Sequence, residues 1–397
     1  MQDVFIVSAV RTPIGKFGGA LAQKSAADLG VVAAQAAMER AGVAPNLVEE
    51  TIFGNARQAG GGPNVARQIS IRSGVPQEVP AYTINMACAS GMKSIALGYQ
   101  EIAAGNLQCV LVGGAESMSR VPYLLDRARW GYRLGNAEIV DGMYKDGFFC
   151  PLAEQIMGET AETLVTEYKI TRQEQDEFAL RSQQRADRAI KSGRFDDEIV
   201  PITLEGKKGA VRMTRDEHPF PDATMEKLGK LPAVFSNAVT KIGTVSAGNS
   251  SGITDGAAAM VLAGEGFVKR NNLKPLARIL AVTSAGVDPK IMGIGPVTAL
   301  RKMEEKHRLR LQDFSLVELN EAFAAQVIAC DRELGLDPER LNVNGGAIAL
   351  GHPIGCTGTR ITVTLLHELM KRRAKRGVAT LCVSGGMGMA LAIETCT

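Results

Sequence analysis

Asn85-Met-Ala-Cys-Ala-Ser-Gly-Met-Lys-Ser-Ile-Ala-Leu-Gly-Tyr-Gln-Glu-Ile-Ala-Ala-Gly-Asn-Leu-Gln-Cys-Val-Leu-Val-Gly-Gly114 reads as a turn, a helix and a strand. Met92, Ile95, Ala96, Tyr99, Ile102 and Ala103 recur at helical spacing and make one apolar stripe. Gly105 closes that helix, and Cys109-Val-Leu-Val112 is the apolar run expected of a strand buried on both faces. Cys88 lies just before the helix, on a glycine-punctuated turn.

The same alternation recurs outward from this run. Val4-Phe-Ile-Val7 is a buried-strand pattern, and Ser25 with Asp28 signals a helix start. Leu29, Val32, Ala33, Ala36 and Ala37 continue that helix, and Gly42 ends it. Near the C-terminus, Val317-Glu-Leu-Asn320 ends a strand and Glu321 is expected to open a helix. A glycine turn precedes a helix expected from about Gly358 to Arg376, and Thr380-Leu-Cys-Val383 is the next strand. Strand–helix alternation of this kind argues an α/β fold.

The two ends of the chain also look related. Ile52-Phe-Gly-Asn55 parallels Glu318-Leu-Asn320, an offset of 320 − 55 = 265. Gly91 parallels Gly358 (358 − 91 = 267), and Leu111-Val-Gly-Gly114 parallels Cys382-Val-Ser-Gly385 (385 − 114 = 271). Three nearly constant offsets in order suggest a duplicated domain. Residues 120–245 have another texture, richer in charge, proline and isolated methionine, as in Arg127-Ala-Arg-Trp-Gly-Tyr-Arg133 and Arg215-Asp-Glu-His-Pro-Phe-Pro221. They read as an insertion covering one face of the core, after which Thr244-Val-Ser-Ala-Gly-Asn-Ser-Ser-Gly252 returns the chain to it. The expected organisation is a first half at 1–120 completed by 246–272, a loop domain at 121–245, and a second half at 273–397.

Bulk composition narrows the function classes. The chain has 397 residues, enough for two or three domains. Its net charge of +3 is too small to imply a nucleic-acid or bilayer partner. The basic run Lys371-Arg-Arg-Ala-Lys-Arg376 reads as the solvated, dipole-complementing end of a helix. No membrane span is expected, because no stretch of about 18 apolar residues occurs. The strand pattern begins so early that no presequence is expected. Seven cysteines without a CxxC spacing give no support for zinc or an iron–sulfur cluster. Free thiols fit a reducing compartment, so a cytoplasmic location is expected.

Free cysteine has a pKa of about 8.5, and a helix N-terminus or a nearby histidine is expected to lower it. Cys88 precedes a helix, whereas Cys109 and Cys330 fall inside a strand and a helix, where packing suffices. Cys150 and Cys396 have no supporting context, and Cys356, in a Gly-Cys-Thr-Gly turn, is a moderate competitor. Cys382 ends a strand before Ser-Gly-Gly, a turn whose successive N–H groups can hold an oxyanion. Of four histidines, His218, His307 and His367 read as surface or packing residues. His352 alone sits in a rigid frame, Gly351-His-Pro-Ile-Gly355. Asn320, at the start of Asn320-Glu-Ala-Phe323, reads as an N-cap compatible with a functional role.

Taken together, the Cys88 run, Asn320-Glu-Ala-Phe323, Gly351-His-Pro353, the Cys382 turn and Arg11-Thr-Pro13 resemble the thiolase family over the whole chain. The resemblance implies duplicated αβα halves in a five-layered αβαβα core with an inserted loop domain. It implies that Cys88 takes the acyl group as a thioester, and that His352 activates Cys88 and helps hold the thioester oxygen. Asn320 would position a water in that first oxyanion site. Cys382 would move the proton on the acetyl α-carbon. The backbone N–H groups of Cys88 and Ser384 would form a second oxyanion site. Ser384 departs from the glycine often seen there.

Coenzyme A is the implied carrier, as a substrate, with no permanently bound cofactor and no metal. Nothing independent of the resemblance signals a nucleotide, since neither a P-loop nor GxGxxG is present. The pantetheine arm would run past Met157 and Phe323, the adenine and phosphate end near Ala247 and Ser251, with Lys230 as a phosphate contact. Met292 would border the acyl pocket or fill the core. Ile156 replaces the pantetheine-contacting histidine of some short-chain relatives, which argues against a strict acetoacetyl-CoA preference. The implied partners are acetyl-CoA, CoA and 3-ketoacyl-CoA, in fatty acid metabolism. The family associates as dimers or tetramers, and Arg127–Gly135 resembles a tetramerisation loop. A ketoacyl synthase or hydroxymethylglutaryl-CoA synthase on the related fold, or a catalytically silent CoA- or lipid-binding relative, is the alternative. The paired cysteines argue against the synthases.

Overall fold

The structure is a computed structural model and describes residues 2–206, 209–237 and 240–396. The first half supplies β1 (Val4–Arg11), α1 (Ala26–Ala41), β2 (Glu50–Gly54), α2 (Val65–Arg72), β3 (Ala81–Ile84), α3 (Ser90–Ala103) and β4 (Cys109–Ser117). The 121–245 region contributes α4 (Met157–Glu167) and α5 (Arg172–Lys191), and β5 (Thr254–Gly264) then completes the first half. The second half supplies β6 (Ala277–Gly286), α6 (Gly295–His307), β7 (Leu316–Leu319), α7 (Ala324–Leu334), α8 (Ile354–Arg372), β8 (Arg376–Val383) and β9 (Met387–Thr395).

The strand order β7-β8-β9-β6-β1-β5-β4-β2-β3 makes the duplication explicit. In the first half β2 runs parallel to β4, β4 pairs antiparallel with β5, and β5 with β1. In the second half β7 runs parallel to β8, β8 pairs antiparallel with β9, and β9 with β6. A parallel bridge from Val317 to Leu341 stands where β3 flanks β2. The halves join where β1 and β6 pair antiparallel, Phe5 to Arg278 and Ile6 to Ala277.

Side-chain alternation then builds five layers. Val110 and Val112 of β4 and Met260 and Leu262 of β5 face a core containing Met92 and Ile95 of α3 and Ile361 and Leu365 of α8. Leu381, Val383, Met389 and Leu391 of β8 and β9 cover the same helices from the other side. The opposite faces bury α1 through Leu29 and Ala33, and α6 and α7 through Val297, Met303 and Val327. α3 and α8 are therefore a shared middle layer, and small residues let them touch. A Cβ on Gly91 would lie 2.6 Å from Thr359 Oγ1, and one on Gly358 would lie 2.4 Å from the backbone N of Met92. This close crossing brings both helix N-termini to one place.

Helix α1 forms as its sequence predicts. Ser25 and Asp28 close a reciprocal capping box, and Gly42 ends the helix at φ 66°. Two expected boundaries move. Asn320–Phe323 does not open a helix, which begins only at Ala324. The Glu321 carboxylate is drawn inward instead, accepting from Ser182 Oγ at 2.7 Å, Asn342 Nδ2 at 2.9 Å and Ile348 N at 3.1 Å. Extended Phe323 bridges to Ser250, and Ala324 N donates to Asn249 O at 2.9 Å. Helix α8 runs Ile354–Arg372, not Gly358–Arg376. Pro353 fixes its start and left-handed Arg373 (φ 54°) its end, so Arg376 already belongs to β8. Among the described residues no helix is long and apolar enough to cross a membrane.

Candidate active site

Cys88 sits in a single 3-10 turn, Ala87–Ala89, that feeds directly into α3. The turn is strained, for Ala87 has φ 44°, a left-handed conformation unusual without glycine. Side chains hold it. Asn85 Oδ1 accepts from Ala87 N at 3.0 Å, while Ser90 Oγ accepts from Met86 N at 2.9 Å and donates to Ala87 O at 2.6 Å. The thiol is partly accessible and receives the backbone N–H groups of Ser384 and of Cys88 itself.

Burial nevertheless raises the Cys88 pKa above its ordinary value, and Glu116 adds to the rise. The Arg57 guanidinium and the two N–H groups oppose it without overcoming it. The sequence-based expectation of a lowered thiol is therefore corrected: desolvation outweighs the Arg57 charge and the two N–H groups. Cys382, buried at the end of β8, is raised further, by burial first and then by the neighbouring Cys88. The Ser384-Gly-Gly386 turn that follows carries positive φ only at Gly385 (86°) and Gly386 (84°). Ser384 needs no left-handed backbone, so its replacement of glycine leaves the turn intact.

His352 is buried between the short helix Ala347–Leu350 and α8. Its backbone N donates to Gly252 O at 3.0 Å, and Nδ1 contacts Thr357 Oγ1 at 2.6 Å. Nε2 has no partner among the described residues. Burial, then Arg360, then Arg57 push its pKa down to about 3, so the ring is neutral at physiological pH. Asn320 is also buried, and both its amide atoms lack partners among the described residues; the N-cap of α7 is Phe323 instead. The amide nitrogen of Asn55, the pseudo-equivalent of Asn320, is by contrast bonded, donating to Glu116 Oε1 at 2.7 Å and Ala115 O at 3.0 Å.

These groups meet at one cavity of about 410 Å³. Cys88, His352, Cys382 and Ser384 are on its wall, with Met157, Ala247, Ser251, Met292 and Phe323. Met292 is both cavity wall and core, packing with Ala322, Phe323 and Cys382. Ile156 also lines the cavity. Two expected residues do not surface there. Asn320 is buried, and Lys230 is exposed, with its ammonium ion-paired to Glu226 at 2.5 Å.

Several site residues were not apparent from sequence. His218, read there as a surface or packing residue, lines the cavity and hydrogen-bonds through Nδ1 to Ala349 O at 2.8 Å. Its loop folds inward because Arg11 holds Asp216 through two contacts at 2.7 and 2.9 Å. A Cβ on Gly252 would lie 1.9 Å from His218 Nε2. Glu116 accepts from Asn55 Nδ2, Ala56 N at 3.0 Å, Arg57 N at 3.1 Å and Gly355 N at 2.8 Å. It thereby ties the end of β2 to the His352 turn. Arg57 lies across Gly147 on the cavity wall and donates to Asp146 O at 3.2 Å. The remaining cysteines hold no place there. Cys109, Cys330 and Cys356 are buried, and burial pushes each up to about 12.

A thiol, a neutral imidazole and a second thiol around one apolar cavity define a covalent enzyme that also moves a proton. Residues 4–266 match the family description "Thiolase, N-terminal domain", and residues 273–395 match "Thiolase, C-terminal domain". The acetyl-CoA acetyltransferase of Cupriavidus necator is 49% identical over 395 residues, 99% of this chain and 100% of that protein. The crystal structure of the Bacillus anthracis acetyl-CoA acetyltransferase superposes with a TM-score of 0.96 at 49% identity, covering 100% of this chain and 99% of that one. Human mitochondrial 3-ketoacyl-CoA thiolase, solved in complex with CoA, superposes with a TM-score of 0.95 at 44% identity, over 100% of this chain and 98% of that one. The chain belongs to the thiolase family. It is an acyltransferase with the thiolase fold.

Proposed function

We propose that the protein reversibly transfers an acyl group between CoA and acetyl-CoA through an acyl-Cys88 thioester, in thiolysis of a 3-ketoacyl-CoA or in the reverse Claisen condensation. The observation that carries this reading is the meeting of Cys88, His352 and Cys382 at one apolar cavity, with His352 Nε2 unpartnered among the described residues. In the cleavage direction the Cys88 sulfur attacks the 3-keto carbon and its proton passes to His352 Nε2. The oxyanion rests on the N–H groups of Cys88 and Ser384. The carbon–carbon bond then breaks. The departing acetyl-CoA enolate is held by the new Nε2–H and an Asn320-bound water, and takes a proton from the Cys382 thiol. CoA gives its thiol proton to the Cys382 thiolate and attacks the acyl group. Cys88 leaves as a sulfur anion and regains the proton from His352.

Met157 and Phe323 flank the pantetheine arm, Ala247 and Ser251 guide it toward the adenine end, and Lys230 reaches a phosphate from outside the cavity. CoA serves as substrate and not as a resident cofactor. The apolar Ile156 and Met292 favour 3-ketoacyl substrates beyond acetoacetyl, as in fatty acid metabolism. Trp130 and Leu134, 87% and 97% exposed on the Arg127–Gly135 loop, support a homotetramer built on that loop. Seven free thiols support a cytoplasmic setting. Intact-mass measurement after mixing with a 3-ketoacyl-CoA in the absence of CoA should show one acyl group per chain. Persistence of that adduct in Cys88→Ala would overturn the assignment.

A further inference from the structure

The hydroxyl of Thr357 has one proton to give and two lone pairs to receive with. It stands 3.0 Å from the carbonyl oxygen of Pro353, which can only accept. The same oxygen also accepts from Cys356 N at 2.8 Å and Thr357 N at 2.9 Å. Thr357 is fully buried in the first turn of α8, so its hydroxyl has no solvent to turn to. With the hydroxyl donating to Pro353, its 2.6 Å contact with His352 Nδ1 has Nδ1–H donating to Oγ1. A neutral imidazole carries a single ring proton. In that arrangement the proton sits on Nδ1, and Nε2 keeps a lone pair, buried and without a partner among the described residues. The bond from His352 N to Gly252 O, at 3.0 Å, fixes the backbone that carries the ring.

We propose that Thr357 is a positioning residue that fixes the tautomer of His352, so that Nε2 is a base in the resting enzyme and becomes a donor only after it has taken the Cys88 proton. This rests on the reading of His352 as the base for Cys88. A carboxylate in place of Thr357 would hold an imidazolium and invite a resting ion pair. A neutral hydroxyl orients the ring without favouring its charged form, in keeping with the low basicity that burial, Arg360 and Arg57 impose. The first oxyanion site is thus completed by the reaction itself. Sγ–H breaks and Nε2–H forms as the sulfur bonds to the acyl carbon, and that N–H is then available to the enolate oxygen of the leaving acetyl-CoA.

The test uses the full-length enzyme and two substitutions. Thr357→Val keeps the volume and loses the hydroxyl, whereas Thr357→Ser keeps the hydroxyl and loses a methyl. Valine should lower kcat by about 10- to 100-fold with KM unchanged within about twofold, and serine should restore most of the rate. A purely packing role would make serine as poor as valine, which would overturn the proposal, as would a fully active valine variant. If the valine variant fails to fold, nitrogen-15 spectra of histidine-labelled wild type decide the matter. Only four histidines contribute signals, and His352→Asn assigns the relevant pair. A protonated Nδ1 with a bare Nε2 supports the proposal, and a protonated Nε2 overturns it. Intact acyl-Cys88 formation alongside a protonated Nε2 would overturn the Thr357 role alone and leave the proposed reaction standing.

Discussion

At the scale of single residues, the electrostatics choose between two ways of activating a thiol. A thiolate–imidazolium pair needs a lowered thiol and a raised histidine, and both shifts here run the other way. In the proposed reaction, proton transfer to His352 therefore accompanies attack. Two outcomes follow. His352 stays unprotonated down to about pH 3, so the kcat/KM profile of the free enzyme should show no acid limb near pH 6.5. Alkylation of Cys88 by iodoacetamide should be slow at neutral pH and rise well into the alkaline range. Arg57 is the cation that opposes the raised thiol. Arg57→Leu should slow alkylation at pH 8 by up to about tenfold, the effect of about one pKa unit, and Arg57→Lys should retain most of the rate. The sequence singled out Cys88, His352 and Cys382, which the fold brings to one cavity, because glycines and proline frame them. It could not disclose Arg57, Thr357 or His218, whose places depend on neighbours brought together only by the fold or on one hydroxyl's geometry.

At the scale of elements, buried carboxylates hold the turns that carry the site. Glu116 accepts four N–H bonds from Asn55, Ala56, Arg57 and Gly355. Glu116→Leu would strand those donors and should destabilise the fold by roughly 2–4 kcal/mol, read as a lowered midpoint in urea. Glu318 makes the opposite contribution. Burial lifts its pKa from 4.5 to about 8, so the folded state keeps a proton that the unfolded chain has already lost. Stability from this group is full below about pH 4.5 and falls as pH rises toward 8. Glu318→Gln should match wild type in Tm at pH 5 and exceed it at pH 8.5. Periodicity made α1 legible through its capping box and glycine end. It misplaced the start of α7, because Glu321 resembles a first-turn acid while serving Ser182 and Asn342 instead.

At the scale of the whole molecule, one helix pair explains the architecture. α3 and α8 come from opposite halves, cross through Gly91 and Gly358, and present Cys88 and His352 from their N-terminal ends. The second thiol arrives from the edge of β8, the counterpart of β4. Duplication was legible because strand-end motifs repeat at near-constant offsets. The inward fold of the 121–245 region was not, because it rests on buried ion pairs such as Arg11 with Asp216 and Glu198. Disrupting the loop with Trp130→Ser and Leu134→Ser should reduce the proposed tetramer to a dimer by light scattering while sparing the chemistry.

The division of labour between the two thiols is tested most directly by Cys382→Ser, incubated with acetyl-CoA and labelled CoA in deuterated water. Exchange of label between CoA and acetyl-CoA reports acylation of Cys88, and deuterium in the acetyl methyl reports α-proton transfer. The expected result is continued label exchange, in which no enolate forms and neutral His352 carries the CoA proton, with methyl deuteration abolished. Loss of both together, or deuteration at the wild-type rate, would contradict the assignment of the acyl group to Cys88 and the proton to Cys382.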